Sequence, residues 1–334
     1  MKKKVLSVLL AITVFATLLV GCESGSSSDD SQDAGSDEAA AEETEEAEEV
    51  EIVNPGDPIS LGSMVDDEGR ILGTILVKYL ESKGYEVDNQ AGTVANAASV
   101  RPTILEHQLD LVVEYTGRGL MFIDGVDPSL YQKDYETAFQ TSKEGDAPNG
   151  IDWISYAPYN NTDAIVVSKD FAEENNITSI KDLADYYNNG GDGAFGVPHD
   201  YILSSEAGFI GWKKAYGLDI PEDLLLVGIT NTETALRDGT DGLVAAHLFS
   251  TNALIKEYDF QILDDPDHVA PIYSGAVIGS FEITEKYPEL KELFDEVLGV
   301  IDDEVIVDLN SQLLSEGRSE EDIANDFLTE HGFI

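Results

Sequence analysis

Short apolar runs alternate along this chain with longer stretches whose apolar residues recur three and four positions apart. "PISLGS" (Pro58–Ser63) reads as a first strand. After it, Ile71, Leu72, Ile75, Leu76, Tyr79 and Leu80 fall on one helical face, and Gly84 closes the helix. "YEV" (85–87) and "LDLVVEY" (109–115) read as the next strands, with a helix through Ile104 and Leu105 between them. Further strands are predicted at "DAIVV" (163–167), "FGV" (195–197), "LLLVG" (224–228), "GLVAAHLF" (242–249) and "FQIL" (260–263). Helices are predicted around Ser179–Tyr187, Ser204–Tyr216 and Thr232–Asp238, and from Glu282 onward the pattern is helical and polar-faced. Alternating β and α elements imply an α/β fold of open, mostly parallel sheets covered on both faces. Such sheets bind ligands just beyond the carboxyl ends of their strands. Tyr115 to Arg118, Phe249 to Asn252 and His199 all follow predicted strands, so a site is expected among them.

The segment before the first strand differs in kind. Lys2, Lys3 and Lys4 lead into an apolar run, Val5 to Val20, too short and wrongly flanked to span a membrane. It ends "LVGC", a small residue before the chain's single cysteine, and polar low complexity follows. This arrangement resembles a bacterial lipoprotein signal. The resemblance implies cleavage before Cys22, lipid on its thiol and amino group, and a mature protein tethered outside the cytoplasmic membrane. An ordinary signal peptide with a spare cysteine is the alternative, and in either case one cysteine excludes an internal disulfide. From Glu23 to Glu51 the chain carries many acids and no Lys or Arg. With so little apolar surface it reads as a disordered, self-repelling spacer. The expected organisation is therefore a signal over 1–21, a linker over 22–54, and a remainder long enough for two domains.

Charge narrows the partners. The formal net charge is −47, and loss of the signal with its three lysines takes it to −50. That excludes nucleic acid, whose phosphates need a basic patch, and disfavours an anion drawn in by long-range attraction. A cation or zwitterion fits better, although a solvated acidic surface accounts for most of the excess.

"EYTGRGL" (Glu114–Leu120) resembles the E-Y-T-G segment of the extracytoplasmic binding proteins of osmoprotectant ABC importers, which capture glycine betaine, choline, carnitine and related compounds. The resemblance extends over nearly the whole folded part. "SMVDDEGRILGTILVKYLESKGYEV" is similar to the family's opening strand and helix, "WISYAPYNNTDAIVV" to its aromatic-N-N-T segment, and "SIKDLADY" to its S-x-x-D-L-A helix. "LFSTNALI" stands where Y-S-T-D-G is usual, "VAPIYSGAVI" where a P-x-Y segment occurs, and "VDLNSQLLSEG" where an L-N helix sits.

The resemblance implies a two-lobed, type II periplasmic-binding-protein-like fold with a hinge of two chain crossings. One lobe would take residues 55–160 with 265–334 and the other 161–264. The crossings would lie at "PYNNTD" and near "DDPDHVAP". It also implies delivery to a membrane permease and its ATPase, with no cofactor or metal. In this family tyrosines cage the quaternary ammonium, which has no N–H to donate and binds aromatic faces instead. Tyr115 matches the tyrosine of E-Y-T-G and Tyr273 that of P-x-Y, while Phe249 replaces the tyrosine of Y-S-T-D-G. Asp163 falls where many members have a further tyrosine. Arg118 replaces a usual Thr or Ser, and Met64 stands where a carboxylate-binding lysine is common. Two roles are open to Arg118: pairing bidentately with a ligand carboxylate, or pairing with Asp163. A hydrogen-bonding role in the hinge is likewise open to Asp163.

A different amine or amino-acid-like solute is an alternative ligand, and a sensory or enzymatic module a more remote alternative. Catalysis finds little support. The folded part has no G-x-S-x-G elbow, H-E-x-x-H pair or phosphate-binding glycine loop, and His199 and His247 fix no nucleophile. The lipoprotein reading predicts that Cys22→Ala releases the protein from membranes or stalls its processing, read by fractionation. Unchanged membrane association would remove that reading.

Overall fold

The computed structural model describes residues 58–334; Cys22, the apolar run before it and the acidic spacer lie outside the described residues. The helix Asp67–Ser82 starts where the Asp66 carboxylate accepts the Gly69 N–H at 2.8 Å. That cap also places negative charge at the positive end of the helix dipole. The predicted stripe Ile71, Leu72, Ile75, Leu76, Tyr79 and Leu80 is buried throughout. At the helix Ile180–Asn188, Ser179 and Asp182 form a reciprocal capping box. The helix predicted over 204–216 is divided instead, into a 3₁₀ turn Asp200–Ser204 and a helix Phe209–Tyr216. Gly208 between them is non-helical, and a Cβ there would stand 2.5 Å from Ile202 Cδ1. Only glycine allows that approach.

The strands make two five-stranded sheets. In the first, β1 (Ile59–Met64), β2 (Val87–Val94), β3 (Leu111–Tyr115) and β4 (Ile151–Tyr156) join β10 (Gly275–Ser280) in the order β2-β1-β3-β10-β4. In the second, β5 (Asp163–Ser168), β6 (Ala194–Val197), β7 (Leu225–Val227), β8 (Leu243–Phe249) and β9 (Phe260–Ile262) lie in the order β7-β6-β8-β5-β9. This is the expected two-lobed α/β class, and each sheet is mixed in one respect: four strands run the same way and a single strand is reversed. β10 runs antiparallel to β3 and β4, and β5 antiparallel to β8 and β9. The cause is topological. β5 and β10 are the first strands after the chain crosses between sheets, so each starts at the end where its neighbours stop. β2 reaches well beyond "YEV"; it is an edge strand with most side chains partly exposed, so its polar residues hid it.

Trp153 and Trp212 are fully buried, one in each sheet's core. Beside Trp153 lies a sealed ionic cluster. Arg101 Nη2 meets Asp146 at 2.6 Å and its Nη1 meets Glu114 at 3.3 Å, while Trp153 Nε1 donates to Asp146 at 3.0 Å. A charge removed from water in this way must keep its partners. Asp146→Ala should therefore cost about 3–5 kcal/mol in urea denaturation. A loss under about 1 kcal/mol, the scale of an exposed pair, would show that the cluster is dispensable.

Candidate functional site

The mixed topology gathers the predicted residues at one end of each sheet. In the first, Tyr115 at the end of β3 pairs with Gly275 at the start of β10. In the second, Asp163 at the start of β5 pairs with Phe249 at the end of β8. The two crossings that link these ends are stitched together. Asn161 N–H donates to Tyr273 O at 2.9 Å, Asn160 Oδ1 accepts Tyr273 N–H at 2.9 Å, and Thr162 Oγ1 donates to Pro271 O at 2.7 Å. Ser250 joins them, accepting Thr162 N–H at 2.9 Å and donating to Asn160 O at 2.7 Å. Thr116 of E-Y-T-G donates to Ile272 O at 2.9 Å and accepts Ser274 N–H at 3.0 Å. The polar run "NNT" thus serves the chain crossings, where the Asn160 and Thr162 side chains satisfy backbone groups that no sheet can pair and Asn161 contributes its own N–H.

Tyr273 is half-buried and lies on Gly117, where a Cβ would stand 2.7 Å from the ring. Burial pushes its phenol up, the Asp163 charge adds to that rise, and Arg118 opposes it. Those three residues are therefore electrostatic neighbours. Arg118 is half-buried, and its Nε is sealed from solvent with no hydrogen-bond partner among the described residues. Asp163 Oδ1 is 2.8 Å from His247 Nε2, both groups being buried. His247 and Phe249 share a face of β8, with ring centroids 5.7 Å apart. Phe249 is 37% exposed, whereas Tyr115 is only 3% exposed and points its hydroxyl inward. Met64 is a core residue at the end of β1.

The hydroxyl of Tyr115 ends on Glu68, which the sequence reading passed over. Glu68 Oε1 accepts from Tyr115 Oη at 3.1 Å, Tyr159 Oη at 2.8 Å and Asn161 Nδ2 at 3.0 Å. Its Oε2 accepts from Thr251 Oγ1 at 2.7 Å and Asn310 Nδ2 at 3.0 Å. Burial raises the Glu68 carboxyl above the usual carboxylate range, with the donors opposing. The same burial, with the Glu68 charge beside them, holds the phenols of Tyr115 and Tyr159 well above their ordinary value, so both donate. A signal was present in the spacing: Glu68 stands three, four and seven positions before Ile71, Leu72 and Ile75, inside the apolar stripe. The Asp163–His247 contact carried no such sign, because its partners are 84 residues apart.

Two α/β lobes joined by two chain crossings, with polar and aromatic groups collected at their strand ends, are the architecture of a solute-binding protein. Residues 57–330 match the family described as the substrate-binding domain of ABC-type glycine betaine transport systems, and the chain belongs to that family. It is accordingly an extracytoplasmic substrate-binding protein of an ABC importer and not an enzyme. The glycine betaine-binding protein YehZ of Escherichia coli is 30% identical over 281 residues, covering 83% of this chain and 91% of that protein. The ergothioneine transport permease/ergothioneine binding protein EgtU of Helicobacter pylori is 28% identical over 276 residues, covering 82% of this chain and 48% of that protein. Among solved structures, apo YehZ of Escherichia coli has a TM-score of 0.68 at 29% identity, covering 84% of this chain and 100% of that one. No helix of the described residues is long and apolar enough to cross a membrane.

The Gly117–Tyr273 contact is directly testable. Gly117→Ala inserts a methyl group where a ring already lies, so it should destabilise by about 1–3 kcal/mol in urea denaturation. An unchanged midpoint would mean that the ring moves aside freely.

Proposed function

We propose that this protein captures a zwitterionic quaternary-ammonium solute between its lobes, with Tyr115, Arg118, Asp163, Phe249 and Tyr273 forming the site. The lobes are residues 55–160 with 265–334, and 161–264, and they close on the ligand about the crossings. The loaded protein delivers its solute to a membrane permease driven by an ATPase, and lipid on Cys22 keeps it at the membrane.

The observation that carries this reading is the state of Arg118. Its Nε is sealed with no hydrogen-bond partner among the described residues, and beside the buried Glu114 carboxylate, which feels its charge, the guanidinium can meet a ligand carboxylate with two parallel hydrogen bonds. The faces of Tyr273 and of the partly exposed Phe249 offer what a methylated ammonium needs, contact area and a negative π surface. The relatives are named for glycine betaine, carnitine and ergothioneine. Those three compounds share a trimethylammonium group and a carboxylate. Asp163 adds a polar demand. Its carboxylate can accept from an N–H or O–H of the ligand, so plain glycine betaine binds weakly and a solute with a further polar group binds better. The same carboxylate supports a second reading, an amine or amino-acid-like solute whose N–H groups meet Asp163.

Calorimetry with glycine betaine, carnitine, choline and primary-amine analogues separates these readings. Carboxylated solutes should lose about 10- to 100-fold in affinity with Arg118→Gln, while any choline binding stays unchanged, since choline has no carboxylate. Asp163→Asn should weaken the preferred solute by about 1.5–3 kcal/mol, the scale of a hydrogen bond to a charged group. Undiminished affinity in both variants would remove the proposed site.

A further inference from the structure

A carboxylate shut away from water is ordinarily met by a cation, and Glu68 has none. Among the described residues no Lys, Arg or His pairs with it, and the titratable groups around it are Asp66 and the phenols of Tyr115 and Tyr159. Its partners are neutral donors from separate parts of the chain: Tyr115 ending β3, Tyr159 and Asn161 in the first crossing, Thr251 after β8, and Asn310 in the helix Asp303–Leu314. These five hydrogen bonds fill the roughly four lone-pair directions of a carboxylate completely. Both asparagines turn their NH2 groups to Glu68 and leave their own amide oxygens buried without a protein partner. Asn310 Nδ2 also donates to Thr251 O at 3.1 Å, which ties the loop after β8 a second time.

We propose that Glu68 is the positioning residue of the hinge, holding Tyr115, the first crossing and Thr251 on one carboxylate and so setting ligand affinity without touching ligand. This rests on the reading above in one respect, that the solute lies at the strand ends. The apparent affinity of a two-lobed protein is its intrinsic affinity scaled by the fraction of molecules in the competent arrangement. Loosening the carboxylate's hold lowers that fraction in the loaded state. Release then speeds up, while arrival at the open cleft is unaffected.

The test uses the full chain with Glu68→Gln and Thr251→Val. The first substitution turns an acceptor into a donor facing donors; the second keeps the shape and deletes the hydroxyl supplied from beyond β8. Hydrogen exchange is followed at the amides of Asn161, Thr162 and Ser250, which bond to Tyr273 O, Ser250 Oγ and Thr162 O, with β1 and β8 interior amides as reference. Each variant should speed exchange at those three amides by at least about tenfold and leave the reference amides unchanged, as expected of local opening. With glycine betaine as probe, dissociation should quicken by about tenfold and association should hold. The double variant should be no worse than Glu68→Gln alone, because the hydroxyl acts through the carboxylate. Unchanged exchange at the crossing overturns the proposal whether or not glycine betaine binds. If Glu68→Gln does not fold, Thr251→Val decides alone. Faster crossing exchange together with unchanged glycine betaine binding in Arg118→Gln would count against the ligand site and leave the role of Glu68 standing.

Discussion

Burial of the Glu68 charge is the constraint on which the arrangement around the cleft depends. An ionised carboxylate loses several kcal/mol of hydration when it is enclosed. Here that loss is offset by donors from a helix, a strand end and two loops rather than by one counterion. Two of the residues recruited for this purpose, Tyr159 and Asn161, lie in the first chain crossing. The geometry of the binding cleft is thus secured by hydrogen bonding at its pivot, while the rims carry the chemistry that meets solute. Arg101 solves the analogous problem for Glu114 and Asp146 by direct charge pairing, one strand end away.

Strand direction does the rest. Because β5 and β10 enter their sheets from the other lobe, their first residues lie beside the last residues of β8 and β3. Loops after strands carry chemistry because their backbone is free of the ladder. A strand that begins at the same edge adds side chains there without a loop. Asp163 is such a residue, held by the sheet as firmly as any core position. His247 beside it gives Asp163 a buried polar contact, Oδ1 to Nε2 at 2.8 Å.

Much of this was legible in the sequence, and the limits have physical causes. Amphipathic spacing located the first helix, and the apolar runs located most strands, because burial on one face is a local property of the pattern. The polar edge strand β2 escaped, since half of it faces water. The single reversed strand in each sheet escaped too, because alternation of elements does not reveal which strand follows a crossing. Tyr115, Arg118, Asp163, Phe249 and Tyr273 were all singled out as candidates, yet what each one touches was not readable. Glu68 stood in plain view as a charge in an apolar stripe, and only its five partners explain the exception. The Asp163–His247 contact depends on register between β5 and β8, which no local signal encodes.

β10 has a further consequence, for the order in which the polypeptide acquires its structure. It lies between β3 and β4, so the first sheet has a gap at its centre until residues 275–280 are available. The second sheet draws all its strands from one contiguous span, Asp163 to Ile262. A chain emerging from its amino terminus can therefore complete the later lobe before the earlier one. Meanwhile the inner edges of β3 and β4 wait as unpaired templates, the kind of surface on which strands from other chains add. Pairings across such separations form slowly, since loop closure precedes any gain from contact. Escort of the nascent chain matters most during that interval, and the lobe at risk is the one holding Arg118 and Tyr273.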